Sequence, residues 1–406
     1  MKIISAKYIF CNGKYEKDKA IVFNDKILEI GNIDYITKKY PDTNITKYED
    51  NSIIYPGFIN MHTHLEFSAN RATLKFGNFI DWLYSVFENR DSLVQNLTND
   101  TINSAINEMA RSGVTTFGAI SSFGADMQEC KETPLRVIYF NEVIGSSPAM
   151  VDTLFNDFKM RLEESKVLQD DRFYPAIAIH SPYAVHPFLL REVLNIARKD
   201  KLLVTAHFLE SPSEREWLEN HNGEFKALFE KFFNTSTPVN SIDEFLNAFK
   251  GIKTLFTHCT QAKDKEFDFI NENNSTVIHC PRSNRLLNCG RLDINKVKNL
   301  TLGSDGYSSN FSLSILDELK AALFMHTDID LNNLALKLIN SVTINATNAL
   351  NIKVGDIKEG FNADFAIFTL PNDLKDSSDT SLALHTIINC NKANKIFIAG
   401  DELILD

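Results

Sequence analysis

The sequence predicts an α/β fold: a (β/α)8 TIM-type barrel with a small β-sandwich domain built from both chain termini. Three observations carry that expectation. The middle of the chain alternates eight strand-like runs with amphipathic helical stretches, which calls for parallel strands joined by crossover helices. Both ends of the chain read as β and the middle does not. Seven of the eight strand-like runs end in an ionisable or metal-binding side chain, as in a barrel whose chemistry gathers where the strand C-termini meet. At 406 residues the chain is long for one domain and ordinary for a barrel with an accessory layer. A doubly wound open sheet is the alternative, but no Gly-rich phosphate loop follows the first strand.

In chain order, the first strands are Lys2–Phe10, then, past a turn at Asn12-Gly13, Ala20–Phe23 and Ile27–Ile30 around Asn24-Asp25. The far end offers Asp364–Phe368 and Lys395–Ile398, with turns at Lys358-Glu359-Gly360 and Gly400-Asp401. Residues 1–55 and 350–406 are therefore expected to form the composite β domain, and 56–349 the barrel. The barrel strands are expected at Gly57–His64, Val114–Ile120, Arg136–Glu142, Ala176–His180, Leu202–His207, Thr254–His258, Thr276–Cys280 and Leu300–Asp305. Helical spacing marks Thr98–Arg111, Pro187–Lys199, Ser241–Phe249 and Ser314–Met325 between and after them.

Composition narrows the function. Hydrophobic residues make up 44% of the chain, 30 of them Phe, enough for a large core. A net charge of −11 argues against a nucleic-acid or acidic-membrane partner, either of which needs a basic face. Six cysteines without a CxxC pair suit a reduced, cytoplasmic protein. Met1 to Phe10 lacks the charged region and long apolar core of a signal peptide, and no apolar run reaches the length of a membrane span.

The chemistry begins at Pro56-Gly57-Phe58-Ile59-Asn60-Met61-His62-Thr63-His64, read as a short buried strand entered from a turn. Alternate residues of a strand point the same way, so His62 and His64 project together as half a metal site. Glu142, His180, His207, His258, His279 and Asp305 end later strands on the same face. His62, His64, His207 and Asp305 make three imidazoles and a carboxylate, which suit a single divalent ion with room for water. Such an ion brings the pKa of bound water near neutrality. Zinc, iron and manganese all suit the set. The fourth strand offers no lysine to bridge a second ion, so one metal is expected. Glu210, three residues after His207, can reach the same mouth and suits a proton shuttle, though a glutamate before Ser211-Pro212 also suits a helix start. His258 reads as a ligand, as a group that orients the attacking water, or as a buried core histidine. Asp305, in Gly303-Ser304-Asp305-Gly306, reads as a ligand or a turn residue, with its glycines permitting a tight exit. His186, His221, His326 and His385 show no partner pattern, and Cys259 and Cys280 read as small buried residues.

Taken in order, the His62-Thr63-His64 run, His207-Phe208-Leu209-Glu210, Thr257-His258 and Gly303-Ser304-Asp305 resemble the amidohydrolase superfamily, in its mononuclear deaminase and chlorohydrolase branch. The resemblance spans essentially the whole chain. His180-Ser181-Pro182-Tyr183 resembles a deaminase motif whose histidine contacts an adenosine-type substrate. Phe79-Ile80-Asp81-Trp82-Leu83 resembles the segment that covers it, which implies a substrate role for Trp82. Cys280-Pro281-Arg282-Ser283-Asn284 matches the branch as well. With His64-Leu65-Glu66-Phe67-Ser68, Ser283-Asn284-Arg285-Leu286-Leu287 and Ser312-Leu313-Ser314-Ile315-Leu316-Asp317-Glu318-Leu319, the set looks most like the epsilonproteobacterial aminodeoxyfutalosine deaminases of menaquinone synthesis.

The resemblance implies hydrolytic deamination of a 6-aminopurine nucleoside, with one Zn2+ or Fe2+ per subunit. Glu210 would protonate the ring nitrogen, and His258 and Asp305 would hold and deprotonate the water. A carboxylate on the substrate would call for an arginine: Arg285 first, then Arg282 and Arg71. Glu142 would take ribose hydroxyls. A homodimer is the assembly expected of the family. Other adenosines, S-adenosylhomocysteine, methylthioadenosine, guanine or a chlorinated triazine are alternative substrates. A scaffold without catalysis is the distant alternative, opposed by the intact set of ligands and Glu210.

Overall fold

The structure, a computed structural model, describes residues 1–405. Eight strands build the barrel: β1 (Phe58–Thr63), β2 (Val114–Ser121), β3 (Arg136–Val143), β4 (Phe173–Ile179), β5 (Val204–Phe208), β6 (Thr254–His258), β7 (Thr276–His279) and β8 (Leu300–Leu302). They lie side by side in chain order in one sheet. The register is parallel, as where Val204 to Phe208 run opposite Thr254 to His258. Every residue of β1, β2, β3, β6, β7 and β8 is buried. Helices cover a parallel sheet, which is why these strands read as continuous apolar runs rather than alternating ones. All eight fall where the alternation places them. β4 begins earlier, at Phe173, and β8 ends at Leu302, so Asp305 stands beyond its strand.

The expected helices form at Asn99–Arg111, Pro187–Asp200, Ile242–Ala248 and Ile315–Met325. Two start where local chemistry dictates. The Ser241 and Ser314 side chains accept from Glu244 N and Asp317 N, satisfying first-turn amides that have no partner within the helix.

The termini build a second sheet from Lys2–Cys11, Lys14–Phe23, Ile27–Asn32, Ile45–Lys47, Ser52–Pro56, Phe365–Thr369, Lys395–Ile398 and Asp401–Glu402. Ile27 and Phe397, from strands far apart in the sheet order, join Ile4, Ile21, Ile54 and Phe365 in one apolar cluster. The expected β layer is thus one sheet curled until its ends share a core. Ser52–Pro56 is a strand of this sheet and Phe58 already belongs to β1, so Pro56-Gly57 is a junction between two strands and not the turn expected there.

By contacts the chain divides into Met1–Met61 with Ile106–Phe117 and Ser314–Asp406, and His62–Ala105 with Gly118–Leu313. This cut differs from a division at 55/56 and 349/350: the helices Ile315–Met325, Leu331–Ser341 and Ile344–Leu350 fall with the unit that holds the terminal strands. Every candidate site residue from His62 to Asp305 falls in the other unit. Among the described residues no helix is long and apolar enough to cross a membrane.

Candidate metal and proton-transfer site

β1 is extended through Thr63, and His62 and His64 leave it with their rings edge-on, 4.8 Å between centroids. From β5, His207 brings its Nε2 to 3.3 Å from His64 Nε2. Asp305 Oδ1 stands 3.7 Å from His62 Nε2 and 3.6 Å from His64 Nε2. Four ligands in a tetrahedron about 2.0–2.1 Å from a central ion stand about 3.3 Å apart, so the spacing fits a divalent ion such as Zn2+. Burial holds His62 and His207 well below the ordinary histidine pKa, in the neutral form that binds metal. His207 Nδ1 donates to His180 O at 2.8 Å, which turns its Nε2 lone pair into the cluster.

Close approach at β8's exit brings Asp305 here. A Cβ at Gly303 would meet His62 Cβ at 2.7 Å, and one at Gly306 would meet His64 Cβ at 2.9 Å. Those glycines give the tight exit its room, through close approach and not through a left-handed backbone. The left-handed residue is Asp305 itself, at φ +60°. Its N–H donates to His62 O at 3.0 Å, Gly306 N donates to Oδ1 at 2.9 Å, and Ser283 Oγ donates to Oδ2 at 2.7 Å. Burial alone would raise this carboxyl. The facing rings of His64, His62 and His258, with the Ser283 bond, outweigh it and hold Asp305 well below the usual range.

Glu210, His258 and Asp305 form a second cluster, their ligand atoms within 4.8 Å of one another. His258 Nε2 is 3.6 Å from Glu210 Oε2. His258 Nδ1 donates to Asn284 Oδ1 at 2.8 Å, and Asn284 Nδ2 donates to His279 Nδ1 at 3.4 Å. That chain leaves the His258 Nε2 lone pair facing the cluster. Burial lowers the His258 pKa, so the ring is a neutral base. Glu210 moves the other way: burial, then the charges of Asp305 and Glu214, push it well above the ordinary carboxylate, so it can carry a proton near neutral pH. Glu214 accepts from Leu209 N at 3.2 Å and Glu210 N at 2.6 Å, while Thr260 Oγ1 donates to Glu210 O at 2.6 Å. These bonds fix the loop that carries Glu210. Burial raises Glu214 to about 7.

The remaining predicted residues divide. His180 is half-buried beside His207, ring centroids 5.1 Å apart, and burial lowers it to about 4. Glu142 is buried behind His207, with Oε1 3.9 Å from Nδ1 and Oε2 bonded to Ser122 Oγ. Half-buried Trp82 donates from Nε1 to Ser308 O at 2.8 Å, tying the helix Phe79–Glu88 to the segment after Asp305. Arg282 is buried, donates to Ser312 O at 2.8 Å and lies 4.7 Å from the Phe311 ring. Arg285 is exposed on the helix Pro281–Leu286, and exposed Arg71 lies 5.2 Å over the Tyr307 ring. His279 is buried against Asn284 and does not join the ligands.

Sequence reasoning gives no role to Ser283, Asn284, Glu214, Thr260, Glu66 or Ser122. Signals exist for several. Ser283 and Asn284 close the motif that begins at Cys280, and Ser211 with Glu214 has the spacing of a capping box.

Residues 53–402 match the profile described as the amidohydrolase family. The chain is 42% identical over 404 residues to the aminodeoxyfutalosine deaminase of a Nitratiruptor species, covering 99% of both chains. It is 34% identical to the adenosine deaminase of Helicobacter pylori, covering 99% of this chain and 100% of that one. The crystal structure of Helicobacter pylori aminofutalosine deaminase in complex with methylthio-coformycin superposes with a TM-score of 0.94 at 33% identity, covering 100% of both chains.

Proposed function

The chain belongs to the amidohydrolase family, and from that premise we propose that it is a metal-dependent deaminase converting a 6-aminopurine nucleoside to the 6-oxo product and ammonia, with 6-amino-6-deoxyfutalosine giving futalosine. The observation that carries the chemistry is the buried Glu210 carboxyl, Oε2 3.6 Å from His258 Nε2, beside the three-histidine and aspartate set. Full-length similarity to the Nitratiruptor enzyme supports the substrate.

A divalent ion, Zn2+ or Fe2+, would supply an acidified water and a Lewis acid when bound. His62, His64 and His207 would hold it through ring nitrogens, and Asp305 through its carboxylate. His258 Nε2 accepts a hydrogen bond from the attacking water and aims it at C6. His258 and Asp305 together take the water's proton. Glu210 gives its proton to the ring nitrogen beside C6, which spares that nitrogen a full negative charge. Proton transfer through the same groups then makes the amine a leaving ammonia. Atoms balance: the water's oxygen stays on C6, the ring nitrogen keeps the proton from Glu210, one hydrogen of the water leaves with ammonia and the other restores Glu210.

His180 and Trp82 contact the nucleoside in this reading. Arg285 and Arg71, both exposed and without an ion pair among the described residues, are available to a substrate carboxylate. The reaction serves menaquinone synthesis in the cytoplasm, in a homodimer that engages neither nucleic acid nor membrane.

The test is a panel of aminodeoxyfutalosine, adenosine, methylthioadenosine, S-adenosylhomocysteine and guanine on metal-loaded protein, read by purine absorbance. The highest kcat/KM is expected for aminodeoxyfutalosine. A preference for adenosine, the reading favoured by the Helicobacter pylori adenosine deaminase relative, would keep the mechanism and overturn the substrate. Silence across the panel with metal bound would overturn adenine-type deamination.

A further inference from the structure

β2, which ends at Ser121, supplies none of the ionisable side chains expected at the mouth of the barrel. Its exit is nevertheless held by a fully buried carboxylate two residues beyond His64. Glu66 Oε1 accepts from Ser121 Oγ at 3.0 Å, Phe123 N at 3.0 Å and Ala125 N at 2.9 Å, and Oε2 accepts from Ser122 N at 2.6 Å. Four donors on one carboxylate lock the loop and aim Ser122. Ser122 Oγ then donates to Glu142 Oε2. Arg161 ties the same two strand ends, with Nη1 to Ser121 O at 3.3 Å and Nη2 to Glu142 O at 2.9 Å. The other Glu142 oxygen, Oε1, is buried 3.9 Å from His207 Nδ1. The hydrogen on that Nδ1 is donated to His180 O.

We propose that Glu66, Ser122 and Glu142 are positioning residues for His207, a buried relay that sets a carboxylate beside its Nδ1–H, reinforces the bond of that hydrogen to His180 O and so strengthens Nε2 as a metal donor. A carboxylate behind the non-ligating nitrogen of a histidine fixes the tautomer and raises the basicity of the ligating one. The placement of Glu142 fits this better than a hold on ribose. The residue is 1% exposed, one oxygen is bonded to Ser122, and the other is buried toward His207. β2 then contributes to the site through a loop that passes the constraint from β1 to β3 and on to β5.

The proposal rests on the metal reading of the site. Its test is chelator-competition titration of Zn2+ on wild-type, Glu142→Gln, Ser122→Ala and Glu66→Gln proteins, with kcat and KM at saturating Zn2+. Glu142→Gln is expected to weaken Zn2+ by about 10–100-fold. Ser122→Ala and Glu66→Gln should shift it the same way by a smaller factor, and KM should stay near wild type in all three. Unchanged Zn2+ affinity with a raised KM in Glu142→Gln would overturn the relay and return Glu142 to substrate binding. Ser122→Ala removes one hydroxyl from a half-buried position, so it decides the matter if the carboxylate variants do not fold. A wild-type protein that binds no Zn2+ would overturn the metal reading and the relay with it. Tight wild-type binding with equally tight variants would overturn the relay alone.

Discussion

The ligand half and the proton-handling half of the site are built by different means. On the ligand half, His62, His64 and His207 stand on or directly after extended strands, and strand geometry aims them. On the proton-handling half the backbone is left-handed: Leu209 before Glu210 at φ +48°, His258 at +70° and Asp305 at +60°. Such a conformation is uncommon for a residue with a Cβ and costs on the order of 1–3 kcal/mol. It persists where neighbours over-determine it. Here they are Glu214 and Thr260 around Glu210, Asn284 behind His258, and Ser283 and Gly306 on Asp305. Metal affinity thus rests mainly on strands, and proton transfer on bonds from side chains behind the reacting groups. Only Asp305 belongs to both. Substitutions elsewhere should separate the two properties.

His62→Asn is the harshest way to break that comparison. Removing a buried ligand should take metal content, measured by elemental analysis, from stoichiometric to near zero, and turnover with it. Stoichiometric metal in the variant would remove His62 from the ligand set. Glu210→Gln comes next: kcat is expected to fall by about 10²–10⁴ with metal content and Tm unchanged. A near-normal kcat would take Glu210 out of proton transfer, and a loss of metal would show that the halves are not separable.

The same contrast governs what can be read from the sequence. His62 and His64 are legible because a period of two is local. His207, His258 and Asp305 are legible because each closes a strand-like run. β8 proves only three residues long, and Asp305 reaches its place through contacts of Gly303 and Gly306 with β1, which no local pattern encodes. The Pro56-Gly57 junction reads wrongly as a turn for a similar reason. Pro56 pairs with Phe365, more than three hundred residues away, and dipeptide chemistry cannot show such a partner. Asn284 is visible in its motif, but its task depends on the left-handed turn of His258. The arginines cannot be ranked from sequence, because Arg282 is engaged by Ser312 and Phe311 while Arg285 is exposed, and both facts are tertiary.

Asn284→Leu sharpens the comparison from behind. The substitution keeps similar volume and removes the acceptor that holds the His258 Nδ1 hydrogen. kcat should fall by about 10–100-fold, the scale of a lost partner behind a reacting group, while Zn2+ affinity holds. If Zn2+ affinity falls in parallel, His258 is part of the ligand half.

The smallest effect tests how dry the ligand half is. Burial lowers His180 from the ordinary 6.5 to about 4, so the folded protein keeps this ring neutral where the unfolded chain would protonate it. A depressed folded pKa contributes stability that is full above about 6.5 and is lost as pH falls toward about 4, because the unfolded state then binds the extra proton. Raised carboxylates such as Glu214 titrate with the opposite sign, so the measurement must be a difference. In chelator-treated protein, the Tm of wild type minus that of His180→Asn should fall by about 2 °C between pH 6.5 and 4. The variant keeps the backbone carbonyl that accepts from His207, so the difference isolates the ring. A constant gap would mean that water reaches His180 and holds it near its ordinary pKa. The strand-built half would then owe its neutral histidines to mutual repulsion within the cluster and not to exclusion of solvent.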